Sequence, residues 1–208
     1  MIFCIFTAQE EHTAARMCAA TVRHHHPEAS IVHLTDETTL AGEWADRVLR
    51  RPWDGTPQTM MYLRMGLLAD MRVSEDTVYL DSDVLLCGSV EPVFREPFDI
   101  ALTIRKDHGD MPYNDGVMFA RSNKFWRAIV QRMDEEPRYK AFLLCQIAVA
   151  QEAESGRHNL CVLQCDDWNC SDMKRGKPKR AKVMHYKGDR KAWMKRDFDE
   201  GIWKSGNS

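Results

Sequence analysis

The chain has 208 residues, 44% hydrophobic and 29% charged, and a net charge of −2. That length and apolar content suit one domain with a sizeable core and exclude wholesale disorder. No apolar run approaches the roughly 18 residues of a membrane span, and seven irregularly spaced cysteines argue for a reducing cytoplasm over a disulfide scaffold.

Met1 to Ala8 is apolar, short and without a basic lead, so it predicts a first strand (Ile2–Phe6) and not a signal peptide. Glu10 to about His25 predicts a helix with acids in its first turn and histidines in its last. Ile31–Leu34 predicts a second strand, closed by Thr35-Asp36-Glu37. Thr56-Pro57 predicts a cap and first helical position, followed by Met60, Leu63, Leu67, Leu68 and Met71 as a core stripe at helical spacing. Strands are predicted at Val78–Leu80, Phe98–Ile104, Val117–Ala120, Leu160–Leu163 and Val183–His185. Helices are predicted from a Ser122 cap to about Met133 and over Tyr139–Glu154. The early order of strand, helix, strand, helix, strand is the α/β pattern: a mostly parallel central sheet flanked by helices. Ligands bind such sheets at the carboxyl ends of strands, so polar residues just after strands are the candidate site.

Asp81 and Asp83 follow the Val-Tyr-Leu strand directly. Two carboxylates one residue apart can both reach a hard divalent cation, and Mg²⁺ or Mn²⁺ held so can neutralise a departing nucleoside diphosphate. The tripeptide is weak on its own. A second copy, Asp197-Phe198-Asp199, lies in a polar C-terminal stretch and not at a strand end. His185, after another apolar run, is a candidate third ligand through neutral imidazole or an ordinary half-buried histidine. Gly188 would let backbone approach a phosphate, and Lys191 would bring a point charge to it.

Six elements in order carry a resemblance. Tyr79-Leu80-Asp81-Ser82-Asp83 resembles the YLDxD signature of family 8 glycosyltransferases, the retaining group that contains glycogenin and bacterial lipopolysaccharide galactosyltransferases. Tyr62-Leu63-Arg64, Tyr113 to Phe119, Cys145-Gln146, Leu163 with Trp168-Asn169, and His185 to Trp193 are similar to the family's further motifs. The resemblance covers about residues 60 to 193. It implies a single GT-A-type domain over 1–208: a nucleotide-binding half at 1–110, a sugar and acceptor half at 111–196, and a tail at 197–208.

The resemblance further implies a metal-dependent transfer of sugar from a UDP-sugar, with Mn²⁺ or Mg²⁺ on Asp81, Asp83 and His185. Asp81 would also contact the ribose, Thr7 and Ala8 would line the nucleoside pocket, and Arg64 would lie near the donor. Gly188 and Lys191 would hold the diphosphate, and Asn114, Asp115 and Gln146 would face the sugar as catalytic residues. Three departures stand out. Cys145 replaces the family's aspartate, a thiol being a poor substitute for its polar contact. Asp115 replaces a serine or alanine and is the candidate to supply that carboxylate. Ala192 replaces a proline. The chain is also shorter than typical members, which leads one to expect missing acceptor-binding insertions.

The acceptor is expected to be a glycan, a lipid-linked saccharide or a protein. Lys174 to Arg196 holds 11 of the 29 basic residues against one acid, a net of +10 on a remainder of −12. This leaves nucleic acid open as an acceptor. A degenerate nucleotide-sugar-binding module is a further alternative, supported by Cys145. Trp193 and Trp203 leave peripheral contact with the inner membrane face open. Two other readings have bland alternatives: His24-His25-His26 and the Cys161, Cys165, Cys170 and His158 group as metal sites, against a solvated helix end and ordinary thiols. Asp166-Asp167 either faces the acceptor or merely ends a strand.

Overall fold

The computed structural model describes residues 1–9, 12–106, 109–141, 143–171 and 180–204. In chain order it forms β1 (Ile2–Phe6), α1 (Thr13–His25), β2 (Ser30–Asp36), β3 (Arg47–Arg51), α2 (Met60–Asp70), β4 (Thr77–Asp81) and β5 (Val84–Leu86). There follow β6 (Ile100–Ile104), β7 (Tyr113–Ala120), α3 (Lys124–Glu135), α4 (Cys145–Ala153), β8 (Leu160–Gln164), α5 (Cys165–Trp168), β9 (Val183–His185) and α6 (Lys191–Asp199).

Strand alternation divides the core. Successive side chains of a strand point to opposite faces, so Ile2, Cys4 and Phe6 of β1 enter one cluster and Phe3 and Ile5 another. The first cluster is covered by α2, α3 and α4, through Leu63, Leu67, Phe125, Trp126 and Val149. The second is covered by α1, through Ala15, Cys18 and Val22. Each large apolar side chain buried there contributes roughly 1.5–3 kcal/mol relative to exposure, and a sheet buried on both faces accounts for the short, wholly apolar strands. A smaller third cluster joins Leu85, Met184, Tyr186 and Trp203.

Seven strands form the central sheet in the order β3-β2-β1-β4-β7-β6-β8. Four neighbouring pairs are parallel, and β7 runs antiparallel to both β4 and β6. The sheet is therefore mostly parallel, as expected. β5 and β9 form a separate antiparallel pair. No described helix is long and apolar enough to cross a membrane.

Several expectations are corrected. β3 is an additional strand: Arg47-Val48-Leu49-Arg50-Arg51 lacks an apolar signature because it is an edge strand, half exposed. The helix expected over Tyr139–Glu154 is broken. A short 3₁₀ turn at Pro137–Lys140 precedes α4, and Leu143 between them has φ +73°, which no helix tolerates. α3 begins after Asn123 and not Ser122; the Asn123 amide donates to the carbonyls of Ala69 and Met71. Thr56 does not cap with its side chain, which bonds Asp54 and Thr59 instead. Thr35 and Asp36 belong to β2. Glu10 and Glu11 of the first expected helix lie outside the described residues, as does the 174–179 part of the basic stretch.

Candidate functional site

Topology converges on one end of the sheet. β1 and β4 are parallel neighbours with Phe6 beside Asp81, so Thr7 and Ala8 emerge next to the first aspartate. β7 runs the other way, with Leu80 opposite Val117, so its early residues Asn114, Asp115 and Gly116 reach the same end. β9 pairs with β5 so that His185 lies opposite Val84, one residue beyond Asp83.

The result is a compact donor set. One ligand atom from each of Asp81, Asp83 and His185 lies within 4.8 Å of the others. His185 Nε2 is 3.1 Å from Asp83 and 3.5 Å from Asp81. The far side of the ring is held by Asn169, whose Oδ1 is 2.8 Å from Nδ1. The Asn169 amide nitrogen faces the Asn114 carbonyl, which can only accept, and Thr103 Oγ1. Its oxygen therefore faces His185, Nδ1 donates to it, and Nε2 is the nitrogen turned to the carboxylates.

Two carboxylates and an imidazole nitrogen suit Mn²⁺ or Mg²⁺ chemistry. Gly116 gives an independent fit. A Cβ there would sit 2.2 Å from His185 Cε1 and 2.5 Å from an Asp81 oxygen, so only glycine leaves the cradle open. Burial pushes the Asp83 carboxyl up, yet the hydrogen bond and charge of His185, and then Lys191, hold it below its ordinary value. Lys191 Nζ is 3.4 Å from Asp83, just beyond Gly188, whose φ of +58° is left-handed.

Arg64 is the second organiser. It is fully buried, pairs with Asp81 at 3.2 Å and with Asp115, and lies over the Tyr79 ring. Burial pushes the Asp115 carboxyl up, but the Arg64 charge, then that of Lys187, holds it below its ordinary value. The Cys145 thiol lies 3.9 Å from the same Asp115 oxygen, and burial and that carboxylate push the thiol far above its ordinary range. Gln146 Nε2 donates to Asp115 at 3.1 Å, while its Oε1 accepts from Arg105 at 2.8 Å.

Under Thr7 lies buried His33. The Gly42 N–H donates to Nδ1, leaving Nε2–H for the Thr7 hydroxyl at 2.7 Å. Burial, with the charges of His12 and Arg50, lowers this imidazole to about 4.

A cleft of about 290 Å³ gathers Thr7, Ala8, Arg64, Asp81, Asp83, Asp115, Gln146, His185, Gly188 and Lys191. Asn114 stands behind it, bonded through Oδ1 to Lys187 at 2.9 Å and to the Gly116 N–H. Lys187 also lines the cleft, and sequence reasoning missed it, because it sits between His185 and Gly188 at a position no motif singles out. Asn169 and Gly116 were within quoted motifs, but nothing in the residues announced their contacts.

The other candidates lie elsewhere. His26 is buried and accepts from the Val90 N–H, and His25 faces the Trp203 carbonyl. His158 is bound to Glu152, and among the described residues no metal-like group includes the cysteines. Asp197 bonds Tyr186, and Asp199 pairs with Lys195 on α6. Asp166 pairs with Lys106. Trp203 is buried against Phe198, while Trp193 is 40% exposed.

No protein-family model and no curated protein matches the sequence. Solved structures do. The galactosyltransferase LgtC, crystallised with donor and acceptor sugar analogues, is 16% identical over 100% of this chain and 97% of its own, at TM-score 0.68. The glycosyltransferase GlyE of Streptococcus pneumoniae TIGR4 is 13% identical over 100% of this chain and 65% of its own, at TM-score 0.66. A glycosyltransferase involved in glycosylation of the major capsid of PBCV-1 is 15% identical over 96% and 100%, at TM-score 0.66. The chain thus has the α/β fold of these glycosyltransferases, the GT-A architecture that the sequence motifs imply.

Proposed function

We propose that the chain is a metal-dependent retaining glycosyltransferase that moves a sugar from a UDP-sugar to a hydroxyl of a glycan, lipid-linked saccharide or protein. The observation that carries this reading is the Asp81, Asp83 and His185 set at the strand ends, in a cleft of about 290 Å³, with Gly116 keeping it open. The fold of the solved glycosyltransferases supports it. On this reading residues 1–110 bind the nucleotide and 111–196 the sugar and acceptor.

Asp81, Asp83 and His185 would hold the cation, which when bound supplies Lewis-acid charge to a diphosphate. Lys191 and the left-handed backbone at Gly188 hold the diphosphate and stabilise the charge that builds on it. Thr7 and Ala8 line the nucleoside side, and Asp81 also meets the ribose. Arg64 orders Asp81 and Asp115, while Asp115 and Gln146 face the sugar and Asn114, expected to face it, backs the cleft through Lys187. The acceptor oxygen bonds to the anomeric carbon as the bond from that carbon to the phosphate oxygen breaks. The electron pair leaves with the diphosphate, and the acceptor proton passes to it on the same face.

Asp115 takes the part of the carboxylate that Cys145 lacks. Its contacts with Arg64, Gln146 and the Cys145 thiol support that role. Asp115→Asn is expected to lower turnover by about 100-fold, since one charge-assisted contact that strengthens in the transition state is lost; full turnover would remove the role.

The test is UDP release from a panel of UDP-sugars, with Mn²⁺ and with EDTA. Metal-dependent release from one sugar is expected, falling roughly 1,000-fold in Asp83→Ala as the cation's contribution is lost. Release from no sugar, together with no UDP binding, would sink the reading.

A further inference from the structure

Next to the donor cleft lies a second cavity of about 510 Å³, within the size range of small-molecule sites. The two share a wall. Leu143, Gln146 and Lys187 line both, and Asn114 lies between them, bonded to Lys187 at 2.9 Å. Gln146 spans the wall, with its nitrogen on Asp115 and its oxygen on Arg105.

The charge changes abruptly across that wall. On the donor side Arg64 and Lys191 are paired with carboxylates. On the far side stand Arg105, Lys187 and Arg190. Arg105 meets an amide oxygen, Lys187 another, and Arg190 the carbonyls of Lys187 and Ser171. Among the described residues no carboxylate pairs with any of the three. The acid of this cavity, Asp166, is taken by Lys106 at 2.7 Å. Asp115 acts on Arg105 and Lys187 only from a distance, so three cations set around a concavity with no carboxylate in contact form an anion site. Amide side chains of Asn114, Gln146 and Gln164 in the same walls suit hydroxyl groups.

We infer that this cavity is the acceptor subsite and that it takes a phosphorylated saccharide, with the phosphate on Arg105, Lys187 and Arg190 and the attacking hydroxyl at the Gln146 wall. The inference rests on the donor reading above for the word acceptor; the anion site itself does not. A saccharide is favoured over nucleic acid because the cations share one concavity with amide groups and do not form an extended track along which a polymer backbone could run.

Glucose 6-phosphate and glucose serve as probes in calorimetric titrations of the protein saturated with UDP and Mn²⁺, which blocks phosphate binding in the donor cleft. Glucose 6-phosphate is expected to bind at least about 10-fold more tightly than glucose, as charge-assisted contacts to phosphate require. That advantage should disappear in Arg105→Gln/Arg190→Gln. In wild type it should also shrink as NaCl rises, a readout that stands if the double variant fails to fold. Equal binding of the two probes, an advantage that survives the double variant or high salt, or tighter binding of a short single-stranded oligonucleotide would each overturn the inference. Failure of UDP to bind would count against the donor reading instead. The comparison of probes on the unloaded protein, wild type against double variant, would still decide the anion site.

Discussion

The two cavities that share the Asn114–Gln146 wall treat charge in opposite ways. In the cleft around Asp81, Asp83 and His185 the cationic groups Arg64 and Lys191 are already paired with Asp81, Asp115 and Asp83. In its neighbour Arg105, Lys187 and Arg190 rest against neutral oxygens. The first arrangement is internally compensated and fixes geometry before any ligand arrives. The second has no carboxylate in contact with its cations, and Asp115 acts on Arg105 and Lys187 only from a distance. A buried pair is expensive to break and a partly solvated cation is not, so the two cavities should respond differently to the same kind of substitution.

The largest contrast is in stability. Arg64→Ala leaves the buried Asp115 carboxylate without its partner and should cost about 3–5 kcal/mol, read as a lower urea midpoint. Arg190→Gln should cost less than about 1.5 kcal/mol, because only hydrogen bonds to the carbonyls of Lys187 and Ser171 are lost. Equal costs would erase the distinction between the cavities.

Next comes the cradle. Gly116→Ala places a methyl group against His185 and Asp81 and should raise the Mn²⁺ concentration for half-saturation by roughly 10–100-fold, the size of effects seen when metal ligands are displaced from outside the shell. Unchanged Mn²⁺ affinity would show that the cradle is not where the cation sits.

The smallest effect is that of pH on the buried floor beneath Thr7. Folded His33 is held neutral down to about 4, against an ordinary 6.5. The unfolded chain takes up that proton first as pH falls. Stability from this group is full above the ordinary value, declines through the interval and levels off below about 4. Between pH 7 and pH 5 the loss is about 2 kcal/mol, and His33→Gln should flatten it in denaturant titrations over that range. An equally steep decline in the variant would assign the acid sensitivity to other groups.

The same two regions differ in how far the sequence discloses them. The Asp81, Asp83 and His185 cleft was legible because its parts are written locally. Asp81 and Asp83 follow a buried apolar strand, and His185 follows another. The parallel core was legible from short apolar runs such as Ile2–Phe6. The cationic cavity was legible only in part: Lys187 and Arg190 fall in the basic stretch 174–196, but Arg105 follows β6 and Gln146 lies in α4. Their convergence depends on antiparallel pairing across long loops, of which residue spacing holds no trace. The segment around Leu143 shows a related limit. Its apolar run Phe142-Leu143-Leu144 reads as helix, and only the tertiary turn, with φ +73° at Leu143, breaks it where both cavities need a wall. Edge strand β3 escaped because arginines, which protect an exposed edge from further pairing, hide its pattern.

The central claim is that Asp81, Asp83 and His185 hold a cation that in turn holds a nucleoside diphosphate. Calorimetric titration of UDP into the protein with Mn²⁺ and with EDTA tests it most directly, with Asp83→Ala in parallel. Saturable UDP binding is expected with Mn²⁺, abolished by EDTA and by the substitution. UDP binding that is the same in all three conditions, or absent from the wild type with Mn²⁺, would contradict it.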